Sequence, residues 1–146
     1  MYYNPNRQER MGMHIGDTHL IEDIIKSLIA EVHCYYYYER LAQLANNEQN
    51  RQIILRIQHD EAKHYHWFSM ILRMMGVDQP QIPSGDLPNN FKDGVREAIG
   101  TELDAAAFYQ DIAYRATEHP VQMHFMHASN DEQRHAAYFQ NMLVNL

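Results

Sequence analysis

The chain has 146 residues, of which 19 are acidic and 12 are basic, so its formal net charge at pH 7 is -7. A chain of this length fits one domain with its own apolar core, and the acidic balance argues against nucleic acid or an anionic membrane surface as a partner. No stretch has the apolar length of a membrane span or a signal peptide, so we expect a cytoplasmic protein. The single cysteine, Cys34, excludes an internal disulfide and any metal site built on paired cysteines.

The first half of the chain predicts two antiparallel helices. Apolar residues recur at spacings of three and four over residues 17–46 and again over residues 53–75, which is the period of a helix with one buried face. Asn46 and Asn47 provide a short break between the two helices, and Gly76 is a suitable C-terminal stop.

The second half repeats this arrangement after a long connection. Residues 77–90 contain three prolines, one glycine and two asparagines, so this segment cannot continue a helix. Helical spacing returns over residues 91–117, and Pro120 suits the first position of a last helix that runs nearly to the C-terminus. The pattern predicts an all-α four-helix bundle with one long crossover between helices two and three. We expect the bundle to occupy residues 17–146 and the tail, residues 1–16, to be poorly ordered.

The two halves also carry the same polar residues. A shift of the chain by 71 residues places three residues of the first half on identical residues of the second: Glu31 on Glu102, Glu61 on Glu132, and His64 on His135. In each half the second glutamate and the histidine form a Glu-x-x-His pair, whose spacing places both side chains on one side of a helix. The repeat therefore predicts two related helical hairpins.

All six of these residues fall on the apolar faces of their helices. Glu31, for example, shares its face with Leu28 and Tyr35. An unpaired buried carboxylate is costly and four of them repel one another, so the pattern makes sense if the carboxylates bind cations. One Glu from each of two helices and one Glu-x-x-His from each of the other two is the ligand pattern of two-metal sites in helix bundles.

Four segments resemble the ferritin-like, rubrerythrin-like di-iron proteins. They are, in chain order, IAEVHCYYYYERL, HDEAKHYHWF, GTELDAAAFYQDI and NDEQRHAAYF, one from each predicted helix. The resemblance implies a ferritin-like bundle with two iron ions. It makes Glu31 and Glu102 terminal ligands, Glu61 and Glu132 bridging ligands, and His64 and His135 the one nitrogen ligand of each ion. Ligand type narrows the metal to iron, manganese or, less favoured, zinc. Carboxylate-rich sites with one imidazole per ion suit iron and manganese alike, so manganese or a mixed pair of ions stays open.

Two departures from this family bear on function. Peroxide-reducing rubrerythrins carry an extra glutamate one turn away on the third helix, whereas Glu102 has Ile99, Ala105 and Ala106 as neighbours. The ligand set is therefore the symmetric Glu4His2. Those proteins often also bear a rubredoxin domain, and this chain lacks the cysteines to build one.

Four other side chains could support the site. Tyr38 and Tyr109 lie seven residues after the first glutamate of each half, on the same helix face. They could hydrogen-bond a ligand carboxylate or donate an electron as catalytic residues, or be core tyrosines with a satisfied hydroxyl. Asp60 and Asp131 could accept the free ring N–H of a ligand histidine across a helix interface.

Three functions are compatible with this pattern. The first is a redox enzyme, a peroxidase or oxidase, that reduces H2O2 or O2 at two metal ions with electrons from an external donor protein. The second is a ferroxidase that handles iron, and the third is a structural, coat-type bundle whose metal ions staple the fold. A hydroxylase with an organic substrate also stays open. We expect a homodimer formed through an outer helix face.

Overall fold

The computed structural model describes residues 18–146 and contains four long helices. They are α1 (Thr18–Leu44), α2 (Glu48–Met74), α3 (Phe91–Arg115) and α4 (His119–Val144). This confirms the all-α bundle with one long crossover. The predicted N-terminal tail, residues 1–16, lies outside the described residues. None of the four helices is long and apolar enough to cross a membrane.

The helix ends follow the local sequence signals. The side chains of Asn47 and Asn90 accept hydrogen bonds from the first free backbone N–H groups of α2 and α3. Gly76 follows α2 with a φ of 75°, the left-handed conformation that glycine adopts without steric cost. Pro120 occupies the first turn of α4, where its missing N–H leaves no bond unmade.

The bundle consists of two hairpins joined by the crossover. Helix α1 packs most extensively against α2, and α3 against α4, while α1 with α3 and α2 with α4 join the hairpins. The apolar core divides into two clusters, one containing Phe68, Tyr109 and Phe125 and the other containing Tyr38 and Phe139. A polar layer lies between them. The shift of 71 residues that relates the two halves also exchanges Tyr38 with Tyr109 and Phe68 with Phe139, so the clusters are pseudo-equivalent.

One residue placed on the inner face by its spacing lies at the surface. Tyr35 is 37% exposed and lines the groove between α1 and α2. A residue four positions after Glu31 is rotated by about 40° around the helix, because a helix has 3.6 residues per turn. This rotation moves Tyr35 from the centre of the buried stripe to its edge.

Candidate metal centre

Six side chains meet in the polar layer, and they come from all four helices. Their ligand atoms form two groups, each with all atoms within 4.8 Å of one another: Glu31, Glu61, His64 and Glu132 in one, and Glu61, Glu102, Glu132 and His135 in the other. Each side chain is at most 1% exposed. Glu61 and Glu132 belong to both groups, and each group adds one further glutamate and one histidine. The arrangement offers two adjacent four-residue sites that share two carboxylates.

The helices position these residues through their period. On α2 and α4 the Glu-x-x-His pairs place a carboxylate and an imidazole one turn apart on the inner face. Glu31 on α1 and Glu102 on α3 complete the layer from the other two helices. Because the two hairpins are copies, each half supplies the same three groups and the cluster is pseudo-symmetric.

Each histidine presents one ring nitrogen to the cluster. Nδ1 of His64 lies 3.0 Å from Oε1 of Glu132, and Nδ1 of His135 lies 3.2 Å from Oε1 of Glu61. Neither Nδ1 atom makes a hydrogen bond within the described chain. A neutral imidazole in this orientation would direct its Nδ1 lone pair into the cluster.

The other ring nitrogen is held by an aspartate of the opposite hairpin. Nε2 of His64 lies 2.8 Å from Oδ2 of Asp131, and Nε2 of His135 lies 2.8 Å from Oδ2 of Asp60. Asp60 and Asp131 thus lie where they can accept the ring N–H of a histidine across a helix interface, as the sequence suggested. An Nε2–H that donates to a carboxylate fixes the tautomer with Nδ1 free, which is the usual arrangement around a metal-binding histidine.

The charges around the histidines perturb their titration. Burial lowers the pKa of His64, but the hydrogen bond with Asp131 and the nearby carboxylates of Glu31 and Glu61 outweigh burial and raise it to about 10. In turn, burial raises the pKa of Asp131, but the hydrogen bond with His64 and the charges of His64, Lys63 and Arg134 together outweigh burial and lower it to about 2. A cation at the site would take over the role of the imidazole proton.

The two buried tyrosines also pair across the hairpins. The hydroxyl of Tyr38 donates to Oε1 of Glu102, and the hydroxyl of Tyr109 donates to Oε1 of Glu31. Burial, followed by the charge of the glutamate that each contacts, raises the pKa of both phenols well above the usual value. The tyrosines therefore stay protonated, and each holds one glutamate of the other hairpin in place.

The polar atoms left without partners test whether the cluster suits a metal. In residues 18–146, seven buried side-chain nitrogen and oxygen atoms make no hydrogen bond, and they belong to these six residues: Oε2 of Glu31, both carboxylate oxygens of Glu61, Nδ1 of His64, Oε2 of Glu102, Oε1 of Glu132 and Nδ1 of His135. Buried polar atoms are almost always paired. Seven of them converging in one layer fit the oxygen and nitrogen coordination of divalent metal ions.

Without bound cations, the charges of the buried carboxylates would repel one another. Burial, then the charges of neighbouring glutamates, raises the pKa of Glu61 and of Glu132 well above the usual value for glutamate. Divalent ions between the carboxylates would offset both the burial and the repulsion, because two such ions supply four positive charges.

A cavity leads from the surface to one side of the cluster. It has a volume of about 400 Å³ and lies between α1, α2 and the crossover. Its walls include Tyr35, Tyr36, Tyr65 and Ile82, and it ends at Glu31 and Glu61. The cavity did not emerge from the sequence, since helical spacing gives no sign that the crossover would bring Ile82 over this groove.

Comparison with known proteins places the chain in a family. The sequence model of the family Rubrerythrin matches residues 22–143, which include all four helices and all six clustered residues. The chain belongs to the rubrerythrin family. A curated relative of this rubrerythrin-family chain is the uncharacterized protein YhjR of Bacillus subtilis, which is 29% identical over 124 residues covering 84% of this chain and 86% of the relative.

Solved structures show the same ferritin-like fold at low sequence identity. A protein described as a dodecameric thioferritin, the bacterioferritin-related protein of Bacteroides fragilis, superposes with a TM-score of 0.84 at 16% identity, over 97% of this chain and 94% of that chain. A conserved hypothetical protein of Mycobacterium tuberculosis superposes with a TM-score of 0.77 at 16% identity, over 86% of this chain and 90% of that chain. A hypothetical protein of Pyrococcus furiosus gives a TM-score of 0.75 at 18% identity, over 88% of this chain and 90% of that chain.

Proposed function

We propose that the cluster binds two metal ions, iron in the first place, and reduces H2O2 or O2 with electrons from an external donor protein. In this proposal Glu31, Glu61, His64 and Glu132 hold one ion and Glu61, Glu102, Glu132 and His135 hold the other. Glu61 and Glu132 would then be shared by both ions, and manganese could replace iron in one or both positions. The observation that carries the proposal is the convergence, on the two four-residue groups, of seven buried polar atoms that make no hydrogen bond within the described residues.

When bound, two ferrous ions supply the two electrons that convert one H2O2 and two protons into two water molecules. The chain itself performs the other tasks. Asp60 and Asp131 orient the histidines through Nε2, and Tyr38 and Tyr109 fix the two terminal glutamates through their hydroxyl groups. The tyrosines thus act by positioning ligands. The apolar clusters on either side of the layer keep bulk water away from it.

The cavity favours a reactive centre over a structural one. A metal that merely staples a bundle needs no approach from solvent, whereas here a half-open cavity ends at Glu31 and Glu61. Iron handling is the second candidate, and the likeness to a protein described as a dodecameric thioferritin supports considering it and an oligomeric assembly. We retain a homodimer and a cytoplasmic location as predictions.

Anaerobic titration of the metal-free protein with Fe(II), followed by mixing with H2O2 or O2, tests this proposal. We expect saturation near two ions per chain and an oxidation, followed by the near-ultraviolet absorption of ferric iron, that is faster with H2O2 than with O2. Faster oxidation by O2 would favour a ferroxidase. Tight binding without oxidation by either reagent would indicate a structural metal, and failure to bind would refute the metal centre.

A matched pair of variants assigns the effect to the cluster. Glu102→Gln replaces a fully buried glutamate of one group, whereas Glu39→Gln replaces an exposed glutamate of α1. We expect the first variant to lose at least one equivalent of bound iron and the second to titrate as the unmodified protein does.

A further inference from the structure

The site as proposed needs electrons from outside the chain, and one surface feature suits their entry. Trp67, the single tryptophan of the sequence, lies one turn after His64 on α2. Its ring centroid is 5.6 Å from that of His64. The indole is half-buried, so it reaches from the edge of the cluster to the surface of the bundle.

Two histidines of the other hairpin enclose the same indole. The ring of His124 lies 4.8 Å from that of Trp67, and the ring of His127 lies 4.9 Å from it, both measured between centroids. Nε2 of His127 also lies 3.8 Å from Oδ2 of Asp131, and Nζ of Lys63 lies 5.2 Å from the indole centroid. Contacts from both hairpins therefore fix the ring next to His64.

The period of α2 alone places Trp67 one turn from His64. The stack of Trp67 with His124 and His127 is not repeated in the other hairpin. The shift of 71 residues that relates the hairpins pairs Trp67 with Tyr138, and it pairs His124 and His127 with Ile53 and Arg56. Beside His135, Ile53 and Arg56 line a cavity of about 430 Å³. The pseudo-symmetric centre thus has an aromatic stack beside His64 and, at the corresponding position beside His135, a cavity distinct from the one that ends at Glu31 and Glu61.

We infer that Trp67, held by His124 and His127 beside His64, is the residue through which a soluble one-electron donor protein passes electrons to the site. The inference rests on the proposed redox function. Reduction of one H2O2 consumes two electrons and two protons and releases two waters, so the relay operates twice for each peroxide. Each time, one electron passes from the reduced donor through the indole to the oxidised site, the indole itself ends unchanged, and the protons come from solvent.

The test separates the oxidation of the site from its re-reduction. The iron-loaded protein is first oxidised with one equivalent of H2O2, and the rate of this half-reaction tests the proposed function by itself. Reduced flavodoxin, a soluble one-electron donor protein, is then added without oxygen and the loss of ferric absorption is followed. Trp67→Phe is compared with Tyr138→Phe, its pseudo-symmetric control, which is 42% exposed in the parent chain.

We expect both variants to be oxidised by H2O2 at the rate of the parent protein. Re-reduction of Trp67→Phe should be at least about tenfold slower, equivalent to about 1.4 kcal/mol of barrier, and that of Tyr138→Phe should be unchanged. Re-reduction of Trp67→Phe at the parent rate, or equal slowing of both variants, would overturn the inference. If H2O2 does not oxidise the iron-loaded parent protein, the proposed function itself is overturned.

A second measurement needs neither a variant nor bound metal. Photo-oxidation of the metal-free parent protein by an excited ruthenium tris-bipyridine complex and a sacrificial acceptor should produce a tryptophan radical, and any such signal belongs to Trp67. The chain has ten tyrosines, among them Tyr114, which is 73% exposed. If tyrosine radicals form and no tryptophan radical does, Trp67 does not exchange electrons with an external partner and the inference fails.

Discussion

Replacement of Glu61 by glutamine should change the stability of the protein in opposite directions with and without metal. In the metal-free protein Glu61 is fully buried and neither of its carboxylate oxygens has a hydrogen-bond partner. Its charge there is opposed by burial and by Glu31 and Glu102, which together outweigh the favourable interaction with His135. Glutamine has nearly the same shape and no charge, so it removes this opposition while it also removes a shared metal ligand.

The expected magnitudes follow from the burial. Glutamine also buries a polar group, so the cost of about 1–3 kcal/mol for an unpaired neutral group remains. What disappears is the additional cost of burying the charge of Glu61 or of taking up a proton in its place, so Glu61→Gln should stabilise the metal-free protein by at least about 1 kcal/mol. For a domain of this size that is a rise in Tm of about 3 °C or more. Metal at 100 times its Kd should stabilise the parent protein by about 2.7 kcal/mol. The variant should gain far less, because both ion positions lose a ligand.

Thermal unfolding followed by circular dichroism, with a chelator and then with excess Fe(II) under argon, measures both effects. Glu39→Gln is the control, since it makes the same chemical change at an exposed position of α1 and should leave both Tm values within the error. A Glu61→Gln variant that is less stable than the parent protein even without metal would refute the reasoning. It would mean that the carboxylates stabilise the bundle through contacts among themselves.

Four further substitutions test individual contacts. Asp131→Asn removes the charged acceptor of His64 Nε2 and should weaken metal binding about 10–100-fold in a competition titration with a chelator, with helix content unchanged. Tyr109→Phe leaves a buried glutamate oxygen without its donor and should lower the free energy of unfolding by about 1–3 kcal/mol in urea; an unchanged urea midpoint would contradict the hydrogen bond. Gly94→Ala would place a Cβ 2.6 Å from a leucine methyl group of α1 and should destabilise by about 1–3 kcal/mol. Gly100→Ala meets no described atom within 4 Å and should stabilise by about 0.5–1 kcal/mol, so equal effects of the two glycine changes would contradict the packing.

The features that could be predicted from the sequence are those that depend on one helix at a time. Helix period and end signals are local, so the four helices and the crossover emerged close to their observed bounds. The six clustered residues could also be predicted to lie together, because the repeat places Glu31 and Glu102 at matching positions and the Glu-x-x-His spacing is set within a single helix. A buried face that carries acidic residues in both halves is informative, since such residues are costly there without partners.

The features that could not be predicted depend on how the hairpins fit together. Spacing placed Tyr38 and Tyr109 near the first glutamate of their own hairpin, whereas each phenol bonds the glutamate of the other hairpin. The partners of His64 and Asp60 likewise come from α4. Such pairs depend on the axial offset between helices, which a one-residue change would alter and which no periodicity within one helix records.

The residues of the cluster repeat in both hairpins, whereas the residues that surround the cluster do not. The four glutamates, the two histidines and their tyrosine and aspartate partners are the same in both hairpins, as two equivalent ion positions would require. The surroundings differ: the shift of 71 residues replaces Tyr35, Tyr36 and Tyr65, which line the cavity, with three alanines, and it replaces Trp67 with Tyr138. Under the proposed function, oxidant and electrons would reach the cluster from different directions, since the cavity opens beside Glu31 and Glu61 while the aromatic stack reaches the surface beyond His64. Under the proposed function, substitutions confined to these two surfaces would change the choice of oxidant or donor and leave the six clustered residues unchanged.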